Sequence, residues 1–344
     1  MSDKTTMEPQ STLLVWQEKL SQYISALEKF AHEAENEKSF SQAMVNRLAI
    51  LNSEIITEGE KLIKKINDKK ISAKIKNEFR AAGGKWFYRS EMMDKGFRKY
   101  RGYPGDFEMM EFVYNNKIVT TDKLAAYFER GFLDNPYAIA VRGRKNKMVE
   151  ILKRFVSSSE ANRLNIMNVA CGPCREIREL FSQRFNFNSR INYLCVDFEK
   201  EALDFSRKAL INISSKVKAR FVRENIMNLI RRPQLYQKRF GKYDLVYSIG
   251  LGDYLSDSIV KKLMKFCWYF LKPGGQMVFA HKIEDKDPLA PLDPDWFCDW
   301  EFVPRSESDV DNLIHSAGLV DFSIAKEWEE SGRILFIRII KSDK

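Results

Sequence analysis

Leu13, Trp16, Leu20, Tyr23, Leu27 and Phe30 recur at alternating spacings of three and four, which places them on one face of a helix. Met44, Leu48, Leu51, Ile55 and Leu62 continue the pattern after a polar break at residues 35–41. Two antiparallel helices are the economical expectation, since neither could bury its stripe alone. The stripes could be covered within their own domain or by a second subunit in a homodimer. From residue 165 the texture changes. β-rich runs at 166–171, 191–197, 219–222, 243–248 and 275–281 alternate with helical patterns at 176–185, 200–211 and 258–271. Alternation of this kind demands crossover connections and a parallel sheet. The end of the chain reads differently: runs at 320–328 and 333–340 flank Glu-Glu-Ser-Gly, so the last strand is expected to be antiparallel. The expected fold is α/β, a mostly parallel sheet with an N-terminal helical domain. Three segments are expected: helices at 1–75, a helical lid and substrate region at 76–160, and a cofactor-binding domain at 161–344.

Composition narrows this picture. A chain of 344 residues that is 44% hydrophobic and 12% aromatic can bury a substantial core, which excludes wholesale disorder. Five cysteines, an odd number, fit free thiols in a reducing compartment rather than a disulfide framework. Residues 1–11 lack the apolar run of a secretory signal, and no stretch is apolar enough to span a membrane, so a cytoplasmic location is expected. The net charge of +10 has a local source: residues 60–101 carry fourteen Lys and Arg against five Asp and Glu. Such a run suits a nucleic-acid arm or a solvated helix face. Leu62, Ile66, Ile71 and Ile75 are spread through it as a core stripe would be, which favours the solvated face.

Residues 168–176, Asn-Val-Ala-Cys-Gly-Pro-Cys-Arg-Glu, stand where a strand gives way to a helix. Small residues there let the backbone approach a ligand over the strand end. Twenty-five residues after Gly172 the next strand ends at Asp197, where a carboxylate can accept both hydroxyls of an adenosine ribose. Together these signals indicate a nucleoside cofactor. One glycine followed by Pro173 offers few free amides for a pyrophosphate, which argues against a dinucleotide. Cys171 and Cys174 also spell C-x-x-C, but no second pair follows and no metal is expected.

The wider pattern resembles the class I S-adenosylmethionine-dependent methyltransferases. It comprises the loop at 170–174, Asp197, the polar Asn225 after the third strand, Tyr243-Asp-Leu-Val-Tyr-Ser248, Leu271-Lys-Pro-Gly-Gly275 and the terminal hairpin. Arg101-Gly-Tyr-Pro-Gly-Asp106, residues 135–138, residues 141–145, Gly250-Leu-Gly-Asp-Tyr-Leu255 and residues 299–305 are similar to a narrower bacterial family, which includes the enzymes that make 3-hydroxypalmitic acid methyl ester. The resemblance covers about residues 80–340. It implies a Rossmann-like methyltransferase sheet, S-adenosyl-L-methionine as cofactor and methyl transfer to a small molecule, with a carboxylate or hydroxyl acceptor. It also implies that Ala170, Cys171, Gly172, Pro173, Glu176, Asp197, Phe198, Asn225, Ile226 and Ser248 line the cofactor site. The family's loop opens with an acid. Here Asn168 stands in that place.

Methyl transfer is an in-line displacement that requires alignment and exclusion of water. A carboxylate acceptor needs an anchor rather than a base, and Arg101, Arg142 and Arg305 are the candidates. A hydroxyl or amine acceptor can use a base, for which His281 at the end of the fifth strand is best placed. Tyr103, in a Gly-Tyr-Pro-Gly turn, is expected to close over the methionine end of the cofactor. Asp253 and Tyr254 can face the substrate, or Asp253 can cap the following helix. Trp296, Phe297 and Trp300 either wall an apolar acceptor pocket or form core. Two rivals stand beside this reading: methylation of RNA or protein through the basic segment, and a non-catalytic domain that binds the cofactor or a partner. The Asp/Asn-Pro-Pro-aromatic tetrad of amino-methylating DNA enzymes is absent after the fourth strand, where Ser248-Ile-Gly-Leu251 stands.

Overall fold

The computed structural model describes residues 9–182, 185–284 and 292–343. The first eight residues of the stretch read for a leader lie outside them, as do positions 183 and 184 of the helix expected at 176–185. Among the described residues no helix is long and apolar enough to cross a membrane. The chain divides into two compact units, residues 1–138 with 285–301, and residues 139–284 with 302–344.

In the first unit, α1 (Pro9–Asn36), α2 (Gln42–Ile66), α3 (Lys69–Phe87), α4 (Glu91–Arg98), α5 (Phe107–Asn115) and α6 (Lys123–Asp134) follow one another. The predicted stripe is the buried face of α1: Trp16, Leu20, Tyr23, Leu27 and Phe30 are buried, and Leu13 is half-buried. Ser41 starts α2 by accepting from the Met44 amide, and Asp68 starts α3 by accepting from Lys70 and Ile71. The α3 stripe adds Ile75 and Phe79 to the same core, which ties residues 76–87 to α1 and α2. The helix Leu292–Cys298 belongs to this unit although it follows the fifth strand in sequence. Its Trp296 ring lies 5.7 Å from Trp16 and 5.3 Å from Phe79, and its Phe297 ring 4.7 Å from Phe87. Trp296 and Phe297 are thus core.

The basic run on α3 and α4 is partly neutralised by acids from elsewhere in the unit. Lys76 pairs with Asp295, Arg80 and Lys99 with Asp299, Arg89 with Glu35 and Asp122, and Lys95 with Glu91 and Glu108. Such pairing reduces the field that would draw a polyanion. Changing Lys64, Lys65, Lys69 and Lys70 together to Gln is expected to leave the melting temperature nearly unchanged and the cofactor affinity within about twofold of the parent, as exposed charges contribute little. A collapse of cofactor binding measured by calorimetry would restore a functional role to that face.

In the second unit, α7 (Pro136–Ser157) leads into β1 (Arg163–Val169), α8 (Arg175–Ser182), β2 (Arg190–Asp197), α9 (Lys200–Ala209) and β3 (Val217–Arg223). Then come α10 (Ile226–Arg231), α11 (Pro233–Phe240), β4 (Tyr243–Ser248), α12 (Asp257–Phe270), β5 (Leu271–Lys282), the helix Glu307–Ser316, β6 (Phe322–Trp328) and β7 (Ile334–Lys341). The seven strands lie in the order β3-β2-β1-β4-β5-β7-β6. All pairs from β3 to β5 are parallel, and β7 runs antiparallel to both β5 and β6, as expected. Alternate residues of the strands feed two cores. Met167, Val169, Leu194, Val246 and Phe279 face α12, whereas Ile166, Tyr193, Leu245 and Tyr247 face the opposite layer with Met148 and Ile151 of α7 and Ile177 of α8. The chain winds outward from β1 to β3, then crosses back to β4. Between β1 and β4 lies the topological switch point, where a sheet of this kind leaves a crevice at its carboxyl edge.

Candidate active site

The switch point is bordered by the loop after β1. Its backbone takes three left-handed turns in five residues: Ala170 at φ +56°, Gly172 at φ +49° and Cys174 at φ +49°. Left-handed geometry costs a non-glycine residue about 1–2 kcal/mol, so two such residues here mark a loop held against its own preference. It is held by the Cys171 amide, which donates to the Val196 carbonyl at 3.1 Å, and by Asp197. One Asp197 oxygen accepts from the Gly172 amide at 2.8 Å and the other from the Glu199 amide at 3.0 Å. Burial raises the Asp197 carboxyl pKa, and the amides of Glu199, Gly172 and Phe198 oppose the shift. No atom lies within 4 Å of where a Gly172 side chain would stand, so the loop faces open space.

Beneath the loop lies a polar group within the sheet core. Glu176, in the first turn of α8, is buried, and its Oε1 accepts from Asn168 Nδ2 at 2.8 Å and from the Tyr247 hydroxyl at 2.7 Å. Asn168 and Tyr247 are register partners on β1 and β4, so the two strands of the switch point share this carboxylate. Ser248, at the end of β4, is buried and its hydroxyl has no hydrogen-bond partner among the described residues. Phe198 follows Asp197 with 47% of its surface exposed. Asn225 caps α10 by accepting from the Met227 amide at 2.8 Å, and Ile226 beside it is half-buried. These residues fit a nucleoside methyl donor: a close-approach loop, a carboxylate at the second strand, an exposed ring and an orphaned hydroxyl in the crevice.

Past β4 and β5 a second cluster forms. Asp253, buried, accepts from the Lys282 amide at 2.9 Å and lies 3.7 Å from the Arg144 guanidinium and 4.0 Å from the His281 imidazole. It therefore ties the loop to β5; the α12 N-cap is Ser256, so Asp253 does not cap that helix. A Cβ on Gly250 would press on Arg144 at 3.3 Å, and one on Gly252 would meet His281 at 2.5 Å. The two glycines let the loop lie flat on those side chains. Burial lowers His281 to about 4, and neither ring nitrogen has a hydrogen-bond partner among the described residues. Burial likewise lowers Lys282 to about 7, and its Nζ stands 3.1 Å from the centre of the Phe302 ring. Tyr254, 42% exposed, lies 5.6 Å from the same ring.

The other expected site residues fall differently. Arg305 is buried and donates to the Gly252 and Leu255 carbonyls and to Asp257, which commits it to shaping the loop after β4. Arg142 is half-buried on α7, two residues before Arg144. Arg101, Tyr103 and Trp300 belong to the first unit. Arg101 is bound to Asp106 at 2.8 Å and Glu108 at 2.9 Å, Asp106 caps α5, and Tyr103 is half-buried in the expected turn. Trp300 is buried. Cys171 and Cys174 are both buried free thiols. Sequence reasoning missed Lys282 and Arg144. Arg144 lay within the segment 141–145, where Arg142 was named instead, and the signal for Lys282 was a lysine placed directly after a β-rich run, which nothing told from a solvated strand end.

No protein-family model and no curated protein matches the chain. Solved structures do. A possible exported protein from Bordetella parapertussis is 16% identical over 99% of this chain and 99% of its own, with a TM-score of 0.54. Magnesium protoporphyrin IX methyltransferase from Synechocystis PCC 6803 with bound S-adenosylhomocysteine is 12% identical over 74% of this chain and 100% of its own, with a TM-score of 0.49. The chain has a Rossmann-like fold. The mostly parallel sheet and its antiparallel β7 are as expected from the alternation and the terminal turn.

Proposed function

We propose that the protein is an S-adenosylmethionine-dependent methyltransferase acting on a small molecule that carries a hydroxyl or a carboxylate. The observation that carries this reading is the loop after β1, open above Gly172 and fastened from below by Asp197. In this reading Asp197 accepts the ribose hydroxyls with its remaining lone pairs, Phe198, Asn225 and Ile226 border the adenine, and Ser248 donates within the crevice. S-adenosylmethionine, when bound, supplies a methyl group activated on a sulfonium. Asp253 faces the Arg144 guanidinium and accepts from the Lys282 backbone amide, while the Lys282 ammonium stands over Phe302, so the cluster suits an acceptor with negative charge or a proton to give up. Arg305 and Asp253 position the loop after β4. The partly neutralised basic face of the first unit supports a small acceptor over a polyanion.

The roles of His281 and Lys282 separate by pH. His281 is already neutral above about 4 and so adds no titration near neutrality, whereas Lys282 becomes a free base as pH rises through about 7. With a hydroxyl acceptor, kcat/KM is expected to rise through pH 7 in the parent and in His281→Gln, and the limb should vanish in Lys282→Met. A limb that survives Lys282→Met removes Lys282 as the base. The acceptor itself is found by incubating the protein with methyl-labelled S-adenosylmethionine and fractionated small-molecule extract, then weighing the labelled products. Label confined to material that nuclease destroys would overturn the small-molecule reading.

A further inference from the structure

Among the described residues the carboxylate shared by β1 and β4 has no cation hydrogen-bonded to it: it accepts from the Asn168 amide, the Tyr247 phenol and its own backbone amide. We propose that Glu176, held by Asn168 and Tyr247 at the switch point, is the counter-ion for the cationic methionine end of the methyl donor. The inference rests on the donor assignment above. Of the two buried carboxylates at the loop, Asp197 has each oxygen tied to a backbone amide. Glu176 instead concentrates two donors on one oxygen, from the two strands that flank the crevice. A carboxylate so placed completes a site for a ligand that presents an ammonium group.

Burial pushes Glu176 up to about 7, and the Tyr247 hydroxyl opposes the shift. The other titratable groups that face it are Tyr193 and Cys195 of β2, Cys174 of the loop and Arg178 of α8. Burial holds the two tyrosines protonated far above neutrality. The Cys174 thiol is lowered well below its ordinary value by hydrogen bonds from Cys171 and Cys195, and its charge adds to the rise at Glu176. A bound cation beside Glu176 would draw the carboxyl proton off, and the Glu176→Gln variant separates this proton from any released by Cys174. Donor binding is then coupled to proton release, and affinity rises with pH until Glu176 is ionised in the free protein.

Titration calorimetry at pH 6.3, in buffers of different ionisation enthalpy, reads the coupling without turnover. At that pH the ligand's own amino group, an ordinary α-amine of about 7.7–8.0, stays protonated. The parent should release about half a proton or more on binding S-adenosylmethionine or S-adenosylhomocysteine, and about none on binding adenosine, which lacks the cationic end. Glu176→Gln should release none and bind both ligands about tenfold more weakly at pH 8, while its adenosine affinity holds. Tyr247→Phe, which removes a donor to the carboxylate, should move the pH midpoint of affinity upward.

A ligand-free check guards against a merely structural role. Because the folded carboxyl titrates above its ordinary 4.5, the ionised form is disfavoured in the native state. The parent should lose melting temperature relative to Glu176→Gln as pH rises from about 4.5 to about 7. Equal proton release and equal pH slopes in parent and Glu176→Gln would overturn the proposal. If the parent binds adenosine but neither charged ligand, the donor assignment fails first and takes the proposal with it.

Discussion

Replacing Asp197 with alanine is expected to weaken S-adenosylmethionine binding by about 10- to 100-fold, and to lower the melting temperature as well. The carboxylate does two jobs through one side chain. It is the expected partner of the ribose, and it is also the acceptor for the Gly172 and Glu199 amides. Removing one partner of a buried hydrogen bond leaves the other unsatisfied at a cost of about 1–3 kcal/mol. Here two amides lose their acceptor, and the loop that carries left-handed Ala170 and Cys174 loses the contact that holds it. Asp197→Asn separates the two jobs. Its carbonyl can keep one amide, so much of the stability should return, while its amide group cannot accept the hydroxyls. Calorimetry on both variants decides the matter: unchanged affinity in Asp197→Ala removes the residue from the cofactor site.

The other large effect belongs to the first unit. Trp296→Ala is expected to destabilise the protein by about 3–5 kcal/mol, the range for deleting a buried aromatic side chain. The indole is fully buried, packs against Trp16 and Phe79, and donates to Glu60 at 3.0 Å. Gly59→Ala approaches the same contact from the other side, since its Cβ would stand 2.1 Å from the Trp296 ring. Both variants should shift the urea midpoint to lower concentration. An unchanged midpoint in Trp296→Ala would show that the ring is not core, and would return it to the acceptor pocket.

The periodicity of the chain determined the elements. Trp16, Leu20, Tyr23, Leu27 and Phe30 could sit together only on a helix face, and α1 buries that face. The β-rich runs became β1 to β7 with boundaries moved by a few residues, because strand ends are fixed by pairing partners rather than by propensity. The parallel pairing of β1 to β5 and the antiparallel β7 followed from alternation and the terminal turn, both local signals, whereas the order of the strands came only with the fold. The loop at 170–174 and Asp197 were legible for the same reason: a strand end followed by small residues is a local pattern.

What lies between distant segments was decided only in three dimensions. Nothing near residue 296 in sequence says that Leu292–Cys298 packs with α1, α2 and α3, so Trp296 read equally well as core or as pocket wall. Arg305 looked like a free anchor until folding placed the Gly252 and Leu255 carbonyls within its reach. The surplus of positive charge at 60–101 is real along the chain and partly cancelled in space, because Glu35, Asp122, Asp295 and Asp299 arrive from other segments. The ionisation of Glu176, His281 and Lys282 is set by burial and by neighbours from two or more elements. Hydrophobic period is a property of neighbouring residues, and a sequence displays it. Dielectric surroundings and charge balance are properties of a packed volume, and they exist only once the chain has closed around them.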